Sequence, residues 1–159
     1  MLTSEGLTTS GPLKVLAAMT AEQEIKAAII VEGEEKGIFS VYEPITAENV
    51  DEIWDALYND SETEDALSEG KDEFRYSGEN TPGIPEDSSR HYECDAVAKQ
   101  MPSGRWVGWM FWHGGGKHGE PEAIDWMDRA YFLDVAEEEK TVTVRTFAKV
   151  KEAPCLTTS

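Results

Sequence analysis

The stretch WVGWMFWHGGGKHGE, residues 106–120, places two histidines and a lysine around three consecutive glycines, directly after a run of aromatic residues. A histidine side chain can bind zinc, and it exchanges protons near neutral pH. The candidate residues of a ligand-binding loop are Trp112, His113, Lys117 and His118. Further side chains that could bind a metal with them are His91, Glu93, Cys94 and Glu120. The carboxylates that could act with a histidine in proton transfer are Asp95 and Asp125.

This glycine loop does not complete a known catalytic motif. HGGG is similar to the oxyanion loop of lipases, but the chain has no G-x-S-x-G nucleophile elbow. GGGKH lacks both the earlier glycine and the following Ser or Thr of a phosphate-binding P-loop. The zinc patterns H-E-x-x-H and C-x-x-C are also missing from the sequence. We therefore expect no catalytic residue, no cofactor and no metal ion. The alternative is a small-ligand or metal-binding enzyme with its site at WHGGGKH.

The residues before the glycines have the pattern of a buried β-hairpin. Residues 91–100 and 105–113 are strand-like and flank a Met-Pro-Ser-Gly turn. Both faces of the second strand are apolar, which predicts that the strand is central and that its tryptophans belong to the core. Residues 131–135 and 140–150, separated by AEEE, predict a second hairpin. Between the two hairpins, Pro121 is expected to open one or two helical turns.

The N-terminal part has helical patterns. Pro12 is expected to open a short helical turn over 13–19. Thr20 and Gln23 form a predicted capping box for a helix that ends at Gly33, and residues 38–42 are expected to form a strand. The clearest helix is predicted to begin at Thr46, and it either continues past residue 60 or restarts at Ser61. Its apolar stripe consists of Val50, Ile53, Trp54 and Leu57.

These patterns together predict an α+β protein, with acidic N-terminal helices packed against an antiparallel sheet of about four to five strands. Residues 77–89 are rich in Pro and Gly and predict a boundary between two regions. The first region, 1–76, is acidic and mostly helical. The second region, 90–152, is aromatic and β-rich. The two regions could still form one compact domain.

The charge of the chain is strongly negative. Asp and Glu number 32 against 14 Lys and Arg, which gives a formal net charge of −18. Residues 1–89 contain 21 of the acids and 5 of the bases. Solubility alone is served by a net charge of about 2 to 8 on a small domain, and a larger excess causes self-repulsion. This excess therefore indicates a function other than folding.

A basic partner explains the acids best. The order of residues does not fit a calcium loop, and adaptation to high salt would spread the acids over both halves of the chain. We therefore predict that the acidic helices bind a basic protein surface. The predicted partner-binding residues lie between positions 51 and 73 and are Asp51, Glu52, Asp55, Asp60, Glu62, Glu64, Asp65, Glu69, Asp72 and Glu73.

In composition the chain resembles the small acidic inhibitors, common among phages, that imitate nucleic-acid charge and occupy a basic groove of a nucleic-acid enzyme. The resemblance implies a non-enzymatic inhibitor whose partner is a nucleic-acid-binding enzyme. No motif links the chain to one family of such proteins. A second alternative is a structural or assembly subunit, which predicts a symmetric oligomer; the sequence leaves the oligomeric state open.

The location that the sequence favours is the cytoplasm. No segment approaches the about 18 apolar residues that a membrane span requires, and the first residues lack the pattern of a secretion signal. The two cysteines, Cys94 and Cys155, do not form a disulfide framework. Because the negative field repels phosphate groups, we expect no direct binding of nucleic acid and no membrane contact.

Overall fold

The computed structural model describes residues 18–150 of the chain. Three α-helices in this part precede a four-stranded antiparallel sheet, which confirms the predicted α+β class. The helices are α1 (Ala21–Glu35), α2 (Val50–Tyr58) and α3 (Glu64–Arg75), and the strands are β1 (Glu79–Asn80), β2 (Glu93–Gln100), β3 (Trp106–His113) and β4 (Tyr131–Leu133). The spatial order of the strands is β1-β2-β3-β4. Residues 13–17 of the helical turn predicted after Pro12 lie outside the described range, as does Cys155.

Helix α1 begins as its sequence predicts. The Thr20 hydroxyl accepts a hydrogen bond from the Gln23 amide at 3.1 Å, and the Gln23 side chain accepts one from the Thr20 amide at 3.0 Å. The prediction that Gly33 ends the helix is wrong, because α1 continues to Glu35. Gly33 instead makes room for Phe39: a Cβ at position 33 would lie 2.1 Å from the Phe39 ring.

The strand predicted at residues 38–42 is also wrong. The amides of Ile38 and Phe39 both donate to the carbonyl oxygen of Gly33, at 2.8 and 3.3 Å. These bonds fold the chain back onto α1, so that the Phe39 ring is buried against it. The segment therefore contributes its aromatic side chain to the core without joining the sheet.

Helix α2 begins at Val50 and not at the predicted Thr46, because Thr46 and Asn49 hydrogen-bond to each other's backbone in a turn that precedes the helix. Val50 and Trp54 of its predicted apolar stripe are buried. The acidic stretch then restarts as a separate helix. The Asp60 side chain accepts a hydrogen bond from the Glu62 amide at 2.8 Å, in the turn before α3.

The predicted hairpin of β2 and β3 is confirmed. Its turn is closed by a hydrogen bond of 2.8 Å from the Met101 amide to the Arg105 carbonyl oxygen. Val97 lies opposite Trp109 in the register of the two strands. The predicted helical turn after the glycines is a short 3-10 turn, Pro121–Ala123.

Strand β3 is covered on both faces, as predicted. The Trp109 ring is fully buried and lies 5.1 Å from the ring of Phe74 on α3 and 5.6 Å from that of Trp126. On the opposite face Gly108 lies under Tyr131, and a Cβ at position 108 would be 2.7 Å from that ring. The buried hydrophobic cluster takes its members from both sequence regions, on either side of residues 77–89.

The second predicted hairpin is wrong. Strand β4 pairs with Trp106–Gly108 of β3, but residues 134–150 form no strand and are all exposed. Residues 134–140, DVAEEEK, contain no Gly or Asn for a tight hairpin turn, and their adjacent glutamates repel one another. None of the described helices has the length and apolar character that crossing a membrane requires.

Candidate functional site

The three glycines of the WHGGGKH loop set the path of the backbone. Gly114, Gly115 and Gly116 have φ values of +82°, +86° and +76°, a region that other residues rarely adopt. A Cβ on Gly115 would lie 2.4 Å from the ring of Tyr92, which covers this turn. The Tyr92 hydroxyl also accepts a hydrogen bond from the Glu120 amide at 3.3 Å. The glycines therefore let the chain turn tightly at the end of β3.

The histidines do not come together on this loop. His113 is half-buried, with Nε2 3.0 Å from Oδ2 of Asp95 and Nδ1 3.9 Å from Oε1 of Glu93. His91 and His118 are exposed. Within residues 18–150, no three His, Cys, Asp or Glu side chains are arranged to hold a metal ion. The other two candidates of the loop also separate, since Lys117 is exposed whereas Trp112 is buried in the sheet.

Cys94, a further candidate ligand, is half-buried on β2. Burial raises the pKa of its thiol above the ordinary value of 9.0. Because a metal binds the thiolate rather than the thiol, this environment weakens Cys94 as a ligand at neutral pH.

All ten predicted partner-binding acids are exposed. Three of them form ion pairs: Asp51 with Lys26 at 2.9 Å, Asp72 with Arg75 at 3.6 Å and Glu73 with Lys36 at 3.7 Å. The other seven form no ion pair within the described range, and they are Glu52, Asp55, Asp60, Glu62, Glu64, Asp65 and Glu69. Most of the predicted negative surface is thus not neutralised by the described residues of the chain.

The spacing of acids on α3 does not favour the helix. Asp65, Glu69 and Glu73 follow one another at intervals of four residues, which places neighbouring carboxylates on one face. Like charges at this spacing destabilise a helix by about 0.2–0.5 kcal/mol per pair. The helix is held by its buried face instead, where Leu67 and Phe74 join the core.

Asp51 differs from the other acids because it joins α2 to α1. Its carboxylate accepts hydrogen bonds from Lys26 at 2.9 Å and from Gln23 at 3.1 Å. The hydrogen bond from Lys26 is the main cause that holds the pKa of Asp51 below its ordinary value of 3.8, and burial opposes it. Asp51 therefore has a structural partner already.

Two adjoining pockets form a groove between α2, α3 and residues 122–128. Their volumes are about 570 and 500 Å³, and both are lined by Tyr58, Lys71, Glu122 and Trp126. We call them together the acidic groove. Its carboxylates are Glu22, Asp55, Glu69, Asp72, Glu122, Asp125 and Asp128, and its bases are Lys26, Lys71 and Arg75. The surplus of carboxylates makes the groove attractive to cations.

The groove also has aromatic walls. Trp54 and Trp126 are buried at its base, and Tyr58 is 40% exposed. A Lys or Arg side chain in such a place can pair with a carboxylate while its cation lies over a ring. Lys26 makes this contact within the chain: its Nζ is 5.8 Å from the Trp54 ring centroid and bonded to Asp51.

Sequence reasoning identified only part of this groove. It selected Asp55, Glu69 and Asp72 among the helical acids. It did not select Glu22 on α1 or the acids of the 122–128 segment as partner-binding residues, and it named Asp125 only as a proton-transfer candidate beside a histidine. It did not select the aromatic walls either. A usable signal is present in EAIDWMD, where Glu122, Asp125 and Asp128 recur every third residue around Trp126.

Neither a protein family, nor a curated protein, nor a solved structure matches this chain.

Proposed function

We propose that this chain is a non-enzymatic interaction protein that binds a basic protein surface through the acidic groove and the exposed acids of α2 and α3. The observation that supports the proposal is the groove itself, where seven carboxylates surround aromatic side chains. Seven acids on α2, α3 and the turn between them have no ion-pair partner among residues 18–150, and two of the seven, Asp55 and Glu69, also line the groove. A basic partner would neutralise these charges.

The chemistry of the groove favours arginine or lysine side chains. Their cations pair with the rim carboxylates, and their apolar stems and charged heads can lie against Trp54, Tyr58 and Trp126. The guanidinium group of arginine adds bidentate bonds to carboxylates, which lysine cannot form. A partner that presents several arginines close together therefore fits this surface best.

We further propose that the partner is a nucleic-acid-binding enzyme in the cytoplasm. The basic groove of such an enzyme is built to bind closely spaced phosphates, and its affinity falls steeply as salt is raised. Rows of carboxylates such as Asp65, Glu69 and Glu73 present negative charge at regular intervals along a helix. The chain would act as a phage-type inhibitor that competes with nucleic acid.

The test compares two variants with the same change in net charge. The groove variant combines Asp55→Asn, Glu69→Gln, Glu122→Gln and Asp125→Asn. The control variant combines Glu35→Gln, Glu48→Gln, Glu79→Gln and Glu137→Gln, which are exposed acids outside the groove. The probe is a fluorescent peptide of nine arginines, titrated at low and high salt. Pull-downs from lysate with both variants, read by mass spectrometry, then look for the natural partner.

We expect the groove variant to lose about tenfold in affinity, because four charge pairs of a few tenths of a kcal/mol each sum to about 1.4 kcal/mol. The control variant should lose less than about threefold. Equal losses of affinity in both variants would show that peptide binding depends only on the net charge of the chain, and the proposed site would then be wrong.

A further inference from the structure

Residues 140–150, KTVTVRTFAKV, follow β4 and its acidic link as an exposed segment without helix or strand, which we call the basic arm. Its large apolar side chains are among the most exposed of the described residues: Val142 is 70% exposed, Val144 79%, Phe147 85% and Val150 88%. A soluble domain rarely leaves such side chains in a row without a partner. The arm therefore has the surface of a docking segment.

The arm has the sequence of a strand but no strand partner. Its β-branched and apolar residues alternate along one side of an extended chain. Its backbone makes no hydrogen bond to any other residue between positions 18 and 150. A segment of this kind gains hydrogen bonds and buried area when it docks in extended form on another surface.

The charge of the arm is opposite to that of the remaining chain. It contains Lys140, Arg145 and Lys149 and no acid, which leaves 11 bases against all 32 acids outside it. Lys140 pairs with Glu138 at 3.2 Å, whereas Arg145 and Lys149 have no carboxylate within ion-pair distance in the described range. When the arm docks in extended form, Arg145, Phe147 and Lys149 share one side of it, because they are two residues apart.

We propose that the basic arm of one copy of this chain occupies the acidic groove of a second copy. This inference rests on the proposed function, because it uses the same groove and names an occupant for it. The two surfaces correspond in chemistry: two cations flank an aromatic ring on the arm, and carboxylates flank Trp54, Tyr58 and Trp126 in the groove.

Charge also favours docking of the arm in the groove of a second copy over pairing of the two arms with each other. Pairing of two arms would place three cations of one copy against three of the other, which is unfavourable. The arm does not lie in the groove of its own chain, since each of its residues is exposed and the groove is open. Reciprocal exchange of two arms gives a symmetric dimer with two equivalent contacts.

The exchange would regulate the groove. A dimer with both arms docked has no free groove, so a basic partner must displace an arm before it binds. Self-association and partner binding should then compete, and high salt should weaken both.

The test measures the mass of the full chain by sedimentation equilibrium over a range of concentrations, at low and high salt. The arm variant combines Arg145→Glu and Lys149→Glu. The reversed-groove variant combines Asp55→Lys and Glu122→Lys. Arg90→Glu with Lys117→Glu is the matched control, because both residues are exposed outside the arm and the groove. Far-UV circular dichroism checks that each variant is folded.

We expect reversible dimers for the wild type and the control at low salt. The arm variant and the reversed-groove variant should each dissociate at least about tenfold more readily. A mixture of the two should form the mixed dimer, because the acidic arm then meets a groove that has lost its excess negative charge and the basic arm meets an acidic groove. Recovery in the mixture would support arm exchange over a general effect of charge.

Two results would overturn the inference. One is a wild-type chain that stays monomeric at every concentration. The other is an arm variant that dimerises as the wild type does. If the nine-arginine peptide still binds the groove in either case, the proposed function stands and only the arm exchange is wrong. If the peptide binds the monomeric arm variant more tightly than the equally charged Arg90→Glu, Lys117→Glu control in its monomeric form, the arm occupies its own groove, which also contradicts the exchange.

Discussion

Arg75 donates a hydrogen bond from Nη1 to the main-chain oxygen of Trp112, over 2.7 Å, and so joins α3 to the central strand β3. The indole N–H of Trp109 donates in the opposite direction, to the Arg75 carbonyl oxygen at 3.3 Å. Arg75 is only 3% exposed, and its guanidinium carbon lies 4.9 Å from the ring centroid of Tyr76 and 4.8 Å from that of Phe111. One buried cation thus holds the acidic helix on the sheet.

The substitution Arg75→Gln should lower the free energy of unfolding by about 1–3 kcal/mol, because it leaves the Trp112 carbonyl without its buried donor. Urea denaturation followed by tryptophan fluorescence measures the change. Arg90→Gln removes the same charge from an exposed side chain and should alter stability by less than about 0.5 kcal/mol. Equal effects of the two substitutions would contradict this role of Arg75.

Neighbouring glycines of the loop should respond differently to alanine. Gly116→Ala meets no atom within 4 Å but requires φ near +76°, a cost of about 1–2 kcal/mol. Gly115→Ala carries the same strain and also clashes with Tyr92, which should add about 1–3 kcal/mol. Thermal unfolding of both variants separates the two costs. If Gly115→Ala is no worse than Gly116→Ala, Tyr92 does not cover the turn as described.

Salt should stabilise the folded chain. Raising salt from about 10 mM to about 150 mM shortens the Debye length from roughly 30 to 8 Å and screens repulsion among the exposed acids. We therefore expect a higher melting temperature at the higher salt concentration. The groove variant, with four charges removed, should show a smaller rise. A melting temperature that does not change with salt would show that the exposed acids do not repel one another.

The Asp51–Lys26 pair should make stability depend on acid pH. Because the folded-state pKa of Asp51 is held below 3.8, its contribution is complete above that value and is lost as the pH falls through the lowered pKa. The stability difference between the wild type and Asp51→Asn should therefore shrink between about pH 5 and pH 2. Glu52→Gln, at an exposed acid without an ion pair in the described range, provides the control. A difference that is constant with pH would rule out this linkage.

The parts of the fold that could be predicted are those in which neighbouring residues determine the structure. Thr20 and Gln23 are three residues apart, and their reciprocal bonds begin α1 without help from distant residues. The same is true of the β2–β3 hairpin, where two strand-like runs flank the Pro-Ser-Gly turn. The role of Gly33 could not be predicted, because it depends on Phe39, whose position over the helix is a tertiary contact.

The candidate site was predicted less completely for the same reason. The acids of α2 and α3 are adjacent in sequence, so their exposed face could be predicted from composition and helical period. The other side of the groove comes from residues 122–128, which are distant from the helices in sequence and pack against the core through the contact of Trp126 with Trp109. The predicted strand at residues 140–150 is absent, because alternation indicates only a tendency to pair with another strand. No strand of the described part of the chain lies beside this segment.

Gly108 helps to determine the register in which β4 pairs with β3. The β2–β3 hairpin can form early from local contacts, and β4 must then find its place beside it. A shift of two residues would put Trp106 or Met110 under Tyr131 in place of the glycine, and a bulky side chain there would push the ring away. Of these three registers, only the native one leaves space for the Tyr131 ring against β3. The absence of a side chain at position 108 therefore favours the native register of β3 and β4 over registers shifted by two residues.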